Sequence, residues 1–221
     1  MTITLIFLAL LMGIVVTWLV KQSINSQPWA EVGVIDNDNP NGPVFIGSKK
    51  VFLGGLLAVL TSLFMLFFSA YRIRMEYPDW VPLDDPQILW VNSVLLILAS
   101  IFYQQAKNAA QRNKEGGIRV GLILAGMFTF CFLYGQLWAW QQIHDQGLFI
   151  YSNPANAFFY VLTGLHALHI IGGLWVWARS TAKVWLGAQA DDVKSSVDLC
   201  TLYWHFLLVL WLIMFYLLLS T

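Results

Sequence analysis

Three polar side chains recur along one apolar segment of this sequence. Thr163, His166 and His169 are spaced three residues apart, so on an α-helix they fall on neighbouring positions of one face. Inside a lipid bilayer such side chains must be hydrogen-bonded, face a cavity, bind a metal or touch a lipid head group. This segment is therefore the first place in the chain where we look for chemistry.

Three interpretations of these histidines stay open from the residues alone. Each imidazole can hydrogen-bond a carbonyl or a neighbouring helix and fix packing. The histidines can instead line a lipid-binding or inter-subunit cleft. The third interpretation is axial ligation of a b-type haem. His166 and His169 lie one turn apart on one helix and cannot ligate opposite faces of one haem, so the second ligand would be His205 or a partner chain.

The elements that would position these residues are transmembrane helices. The chain has 221 residues, of which 58% are hydrophobic and 11% charged, far from the balance of a soluble domain. Apolar runs of about 20 residues, the length that crosses a bilayer, occur at 2–20, 51–71, 88–106, 118–140, 155–178 and 199–220. The sequence therefore predicts an all-α integral membrane protein with six spans.

The charged residues lie outside the apolar cores of these spans. This leaves no buried carboxylate to relay protons, which argues against a proton or cation pump carried by this chain alone. Cys131 and Cys200 fall within spans and are interpreted as apolar packing residues. We find no phosphate loop and no cluster with metal-ligand spacing. No catalytic, cofactor-binding or metal-binding residue is predicted, and no nucleic acid is expected as a partner.

The basic residues predict the orientation. Ten of the twelve lie in the connections that follow the first, third and fifth spans, and the other two, Arg72 and Arg74, follow the second. Cytoplasmic loops carry the excess of Lys and Arg. We therefore expect these three connections on the cytoplasmic side and both termini on the outer side.

The polar stretch 22–48 separates the first span from the others, and its Asp36–Pro43 part is turn-forming. We divide the chain into residues 1–49, an additional transmembrane helix with a polar connection, and residues 50–221, one five-helix domain. The first span lacks a basic start and a small-residue cleavage site, so we expect it to remain as an anchor. Because so long a connection is unusual, residues 1–49 are also a candidate contact for a supercomplex partner.

Two segments resemble the subunit III family of haem-copper terminal oxidases, the cytochrome c oxidase subunit 3 family. Residues 159–173 are similar to the family's F-Y-x-L-T-G-x-H-x-x-H-x-x-G helix, and residues 203–206, Y-W-H-F, followed by Trp211, resemble its last helix. Weaker similarity is found at 89–104 and at 135–138. The resemblance covers about residues 50–220, in the family's order.

The resemblance implies a non-catalytic accessory subunit of a respiratory oxygen reductase in the bacterial plasma membrane. It would pack on catalytic subunit I, in a complex with subunit II, while haem and copper are bound by those partners. It also implies bound phospholipid in a cleft, with the first two core helices forming one arm and the other three a second arm. The candidate lipid-cleft or packing residues are Gln136, Trp138, Thr163, His166, His169 and His205.

The chain departs from the family pattern at two positions. Where many members have a buried glutamate in the first core helix, the nearest polar residues are Thr61 and Ser62, and where many have an aspartate after Y-W-H-F this chain has Leu208. We therefore expect no proton relay here. Two alternatives remain: an accessory subunit of a nitric oxide reductase, and a haem b electron carrier ligated by His205 and a histidine of 155–178.

Overall fold

The computed structural model describes residues 48–82, 87–187 and 190–220. They form five helices: α1 (Ser48–Arg74), α2 (Ile88–Gln111), α3 (Glu115–Asp145), α4 (Pro154–Trp185) and α5 (Ala190–Leu219). All five are long and apolar enough to cross a membrane, which confirms five of the predicted spans. The predicted span at 2–20 and all but the last two residues of the 1–49 segment lie outside the described residues.

Local sequence explains where the helices turn. α4 begins with Pro154 after Asn153, whose side chain accepts a hydrogen bond from the Ala155 amide at 3.1 Å, a standard start for a helix. α2 and α3 are joined by three residues, among which Asn113 adopts a left-handed conformation with φ of 53°. This short connection makes α2 and α3 an antiparallel hairpin.

Small residues let the helices approach closely. A Cβ placed on Gly121 of α3 would lie 2.9 Å from the backbone nitrogen of Ala106 in α2. On the other side of α3, Gly126 receives the ring of Trp177, which donates from Nε1 to the Leu122 carbonyl at 2.9 Å. Such contacts matter in a membrane, where apolar helices gain little by leaving lipid for one another.

α1 is attached to α4 and α5 and, in the described chain, reaches neither α2 nor α3. At its start, Lys50 Nζ lies 3.8 Å from Asp198 Oδ2 of α5. Farther along, the Phe64 ring packs edge-on against His169 of α4, with centroids 5.8 Å apart. Tyr71, near the end of α1, packs on Phe158 of α4. α1 therefore contacts α5 near its N-terminal end and α4 toward its C-terminal end.

The predicted grouping of the first two core helices into one arm is wrong, because α2 packs along α3 and α5 instead of α1. The reason lies in the polar side chains of α2, which form hydrogen bonds to Gln136 of α3 and to Trp211 and His205 of α5. In α1 the hydroxyls of Thr61 and Ser62 bond to carbonyls of their own helix. They therefore offer α2 nothing to pair with.

Candidate functional site

His166 lies at the centre of the bundle and is completely buried. Its ring packs on Trp211 of α5, with centroids 5.3 Å apart, and meets the Phe132 ring of α3 edge-on at 6.0 Å. Trp211 Nε1 donates to Ser93 Oγ of α2 at 2.9 Å. We call His166, Phe132, Ser93 and Trp211 the central cluster, since each comes from a different helix.

An amide pair lies beside the central cluster. Gln136 is one turn along α3 from Phe132, and Asn92 precedes Ser93 on α2. Asn92 Nδ2 donates to Gln136 Oε1 at 3.4 Å, and both side chains are buried. The pair ties α2 to α3 in the membrane interior.

Thr163 connects α4 to α3. Its hydroxyl donates to the Phe159 carbonyl at 2.7 Å and accepts from Trp140 Nε1 at 3.0 Å. Trp140 could not be singled out from the sequence, because its place near the end of α3 is also typical of an interfacial anchor. The Thr163 hydroxyl therefore both donates and accepts a hydrogen bond within the protein.

His169 faces α1 and not the central cluster. Its Nδ1 donates to the carbonyl of Leu165, one turn earlier, at 2.7 Å. The backbone carbonyl of His169 accepts from the Tyr203 hydroxyl of α5 at 3.0 Å. With the Phe64 contact described above, His169 marks the point where α1, α4 and α5 meet.

His205 links α5 to α2 through both ring nitrogens. Nδ1 lies 2.7 Å from Ser100 Oγ, and Nε2 lies 3.1 Å from Gln104 Oε1. The Gln104 amide is oriented by its donation to Asn108 Oδ1 at 2.9 Å. Because an amide oxygen can only accept, Nε2 carries the proton and Nδ1 accepts from the serine hydroxyl. Ser100 and Gln104 lie one turn apart on α2, and this spacing is the sequence signal that could have predicted the contact.

The six candidate residues do not form one site. Thr163 and His166 point toward the bundle interior and His169 toward α1, because three-residue steps drift by about 60° each on a helix with 3.6 residues per turn. His205 lies against α2, and Gln136 pairs with Asn92. Trp138 is half exposed on α3. The side chains predicted to share one polar face therefore lie at several separate contacts between helices.

α1 and α2 both pack on α5 but not on each other, and we call the α5 surface between them the lateral groove. Asp198 of α5 marks one end, since its carboxylate lies 2.6 Å from Lys107 Nζ of α2 and also contacts Lys50 of α1. Residues at helical spacing from Asp198 share one face of α5 by their position, and we call them the floor residues. These floor residues are Leu202, His205, Val209, Leu212 and Tyr216.

Charges divide between the two ends of the bundle. The end that holds the Lys50, Lys107 and Asp198 cluster also carries Arg112, Lys114 and Arg119 at the α2–α3 connection. At the opposite end Arg74 donates two hydrogen bonds to Asp79, and these lower the pKa of the Asp79 carboxyl below its ordinary value. The first of these ends is called the basic end below.

These features define a multi-pass membrane protein whose helices are joined by side-chain hydrogen bonds in the membrane interior. Residues 52–220 match the sequence model of the family described as cytochrome c oxidase subunit III. The chain belongs to this family, which provides an accessory subunit of haem-copper oxidases. The match covers almost the whole of the described bundle.

Individual relatives agree with the family assignment. A cytochrome c oxidase subunit 3 of Synechocystis is 29% identical over 72% of this chain and 70% of its own length. One of Thermostichus vulcanus is 30% identical over 79% of this chain and 83% of its own. A probable cytochrome c oxidase subunit 3 of Mycobacterium leprae is 26% identical over 87% of this chain and 88% of its own. These relatives are bacterial, which implies the plasma membrane.

Proposed function

We propose that this chain is the accessory third subunit of a haem-copper oxygen reductase, packed on catalytic subunit I next to subunit II. Haem and copper would be bound by those partners. The observation that carries the proposal is the family match over the whole five-helix bundle. The subunit would cover one flank of subunit I and stabilise it and its surrounding lipid.

The histidine contacts support a packing role over haem ligation. Both ring nitrogens of His205 are hydrogen-bonded to side chains of α2. His169 donates to its own helix, and His166 is enclosed by Phe132 and Trp211. A haem would have to break the α2–α5 or α4 contacts before an imidazole became free to ligate iron.

Optical spectroscopy tests this assignment. Reduced-minus-oxidised spectra would be recorded on the chain purified alone in mild detergent and on the complex that co-purifies with it. We expect no haem signal from the isolated chain and a-type or o-type haem signals from the complex. A b-type signal from the isolated chain would overturn the accessory role and make the histidines ligands.

We further propose that the lateral groove holds a phospholipid. Its floor residues Leu202 and Val209 are 51% and 54% exposed, which gives an apolar surface for an acyl chain. At the basic end Lys50 and Lys107 share the single carboxylate of Asp198, leaving one net positive charge for a lipid phosphate. On this proposal the lipid would lie between α1 and α2 and not between the two arms that the family resemblance implied.

Filling the groove tests the lipid proposal. Val209→Trp would occupy the floor of the groove, and Leu168→Trp is the matched control, because Leu168 is 61% exposed on α4. We expect the complex with Val209→Trp to retain about one phospholipid fewer than the control by quantitative mass spectrometry. Equal lipid content in the two complexes would contradict the groove while leaving the accessory role intact.

We propose that the basic end faces the cytoplasm, as the excess of Lys and Arg in its connections favours. Both termini would then lie on the outer side. A reporter enzyme that is active only outside the cytoplasm, fused after Thr221, is expected to be active. Activity of a cytoplasmic reporter at the same position would reverse the orientation.

A further inference from the structure

Among the buried polar atoms without a hydrogen-bond partner in the described residues, four belong to three core side chains: both ring nitrogens of His166, Asn92 Oδ1 and Gln136 Nε2. They belong to α4, α2 and α3, and the three side chains are 0 to 1% exposed. Lipid cannot reach them and could offer no hydrogen bonds if it did. Buried polar groups in native proteins normally have hydrogen-bond partners, so we expect these four atoms to have partners as well.

The three residues lie around one part of the core. Asn92 is adjacent in sequence to Ser93, which accepts from Trp211, and Trp211 packs on His166. On the other side Gln136 is one turn from Phe132, whose ring meets His166 edge-on, and Gln136 pairs with Asn92. These contacts close a ring through α2, α3, α4 and α5.

Rearranging the side chains does not remove the unpaired atoms. Reversing both amides of the Asn92 and Gln136 pair exchanges their roles but still leaves one donor and one acceptor. His169 satisfies its Nδ1 by turning back to the carbonyl of Leu165. His166 is turned into the core instead, where its ring is held between Phe132 and Trp211.

We propose that the bundle core between Asn92, Gln136 and His166 binds water. The unpaired set comprises two donor groups, one amide NH₂ and one imidazole N–H, and two acceptors, one amide oxygen and one imidazole nitrogen. A water molecule both donates and accepts, and buried waters typically join groups of this kind. One or two waters would bridge α4 to the α2–α3 amide pair, so that His166 contributes to the hydrogen bonding as well as to aromatic packing.

A density map of the intact complex in which other buried waters are visible tests the proposal without any substitution. We expect density at hydrogen-bonding distance, about 2.7 to 3.2 Å, from a ring nitrogen of His166 and from the amide of Gln136 or Asn92. Buried waters visible elsewhere in the membrane region, with none at this position, would overturn it.

A double-mutant cycle gives a second, independent test. His166→Phe and Gln136→Leu remove the two sides of the proposed bridge, although no direct hydrogen bond joins them. We expect the decrease in Tm of the double variant to be smaller than the sum of the two single decreases, because each single change already breaks the bridge. Additive decreases would overturn the proposal.

The matched control combines His166→Phe with Gln104→Leu. Gln104 bonds to His205 at the α2–α5 contact and not to the Asn92 and Gln136 pair. We expect these two Tm decreases to add. Equal coupling of both glutamines to His166 would show a general loosening of the bundle and count against a water bridge.

Discussion

At the scale of single residues, three histidines of one membrane domain have three different surroundings. His205 is bonded through both nitrogens, His169 through one, and His166 through neither in the described protein. The role of each histidine depends on which helix its ring faces, because lipid offers no alternative hydrogen-bond partner. A histidine in a membrane span is therefore no sign of a cofactor until its neighbours are known.

His205→Phe tests the α2–α5 link. Removing the imidazole leaves Ser100 and Gln104 without their partner inside the membrane, and we expect a loss of about 1 to 2 kcal/mol in the free energy of unfolding. Thermal or detergent-induced unfolding of the purified protein measures the loss. His144→Phe is the control, because His144 is exposed in the last turn of α3 and should change stability by less than about 0.5 kcal/mol. Similar losses in the two variants would refute a specific role for His205.

At the scale of helices, α3 owes its central position to its glycines. Gly121 admits the α2 backbone on one side, and Gly126 admits the Trp177 ring of α4 on the other. The α2–α3 contact is the most extensive in the bundle. Residues that look interchangeable by hydropathy thus determine which helices become neighbours.

Gly126→Ala tests this close packing. The added Cβ would lie 2.3 Å from a Trp177 ring atom, and the hydrogen bond from Trp177 to the Leu122 carbonyl opposes movement of the ring. We expect a loss of about 1 to 3 kcal/mol in unfolding free energy, measured by the same unfolding experiment.

The control for this change is Gly172→Ala on α4, where a Cβ would meet nothing within 4 Å. Alanine favours a helix over glycine by up to about 1 kcal/mol, so this variant should be unchanged or more stable. If both alanines had the same effect, helix propensity and not the α3–α4 contact would explain the result.

At the scale of the whole molecule, the five described spans could be predicted because insertion into lipid depends on the composition of each segment alone. Their packing could not, because it depends on which side chains meet. Hydrogen bonds of Asn92 and Ser100 hold α2 against α3 and α5. A hydropathy profile does not show which helices such bonds connect. The resemblance identified the family, but neither the arms that it implied nor the shared polar face that the three-residue spacing predicted gave the contacts observed.

The N-terminal segment poses the last question at this scale. The alignment with the Mycobacterium leprae relative covers 87% of the chain, more than residues 50–221 make up, so it extends into residues 1–49. The Synechocystis relative aligns with only 72%. Residues 1–49 lie outside the family match at 52–220, and a docking role for them stays a prediction.

Deletion of residues 2–48 tests this docking role. We expect the shortened chain to insert and to assemble with subunits I and II, because it keeps the whole family match at 52–220, but to lose an additional component of the purified complex. A second variant with an unrelated apolar helix in place of 2–20 separates anchoring from docking. If that helix restores the component, the segment acts only as an anchor. If the deletion leaves the composition of the complex unchanged by mass spectrometry, residues 1–49 hold no partner at all.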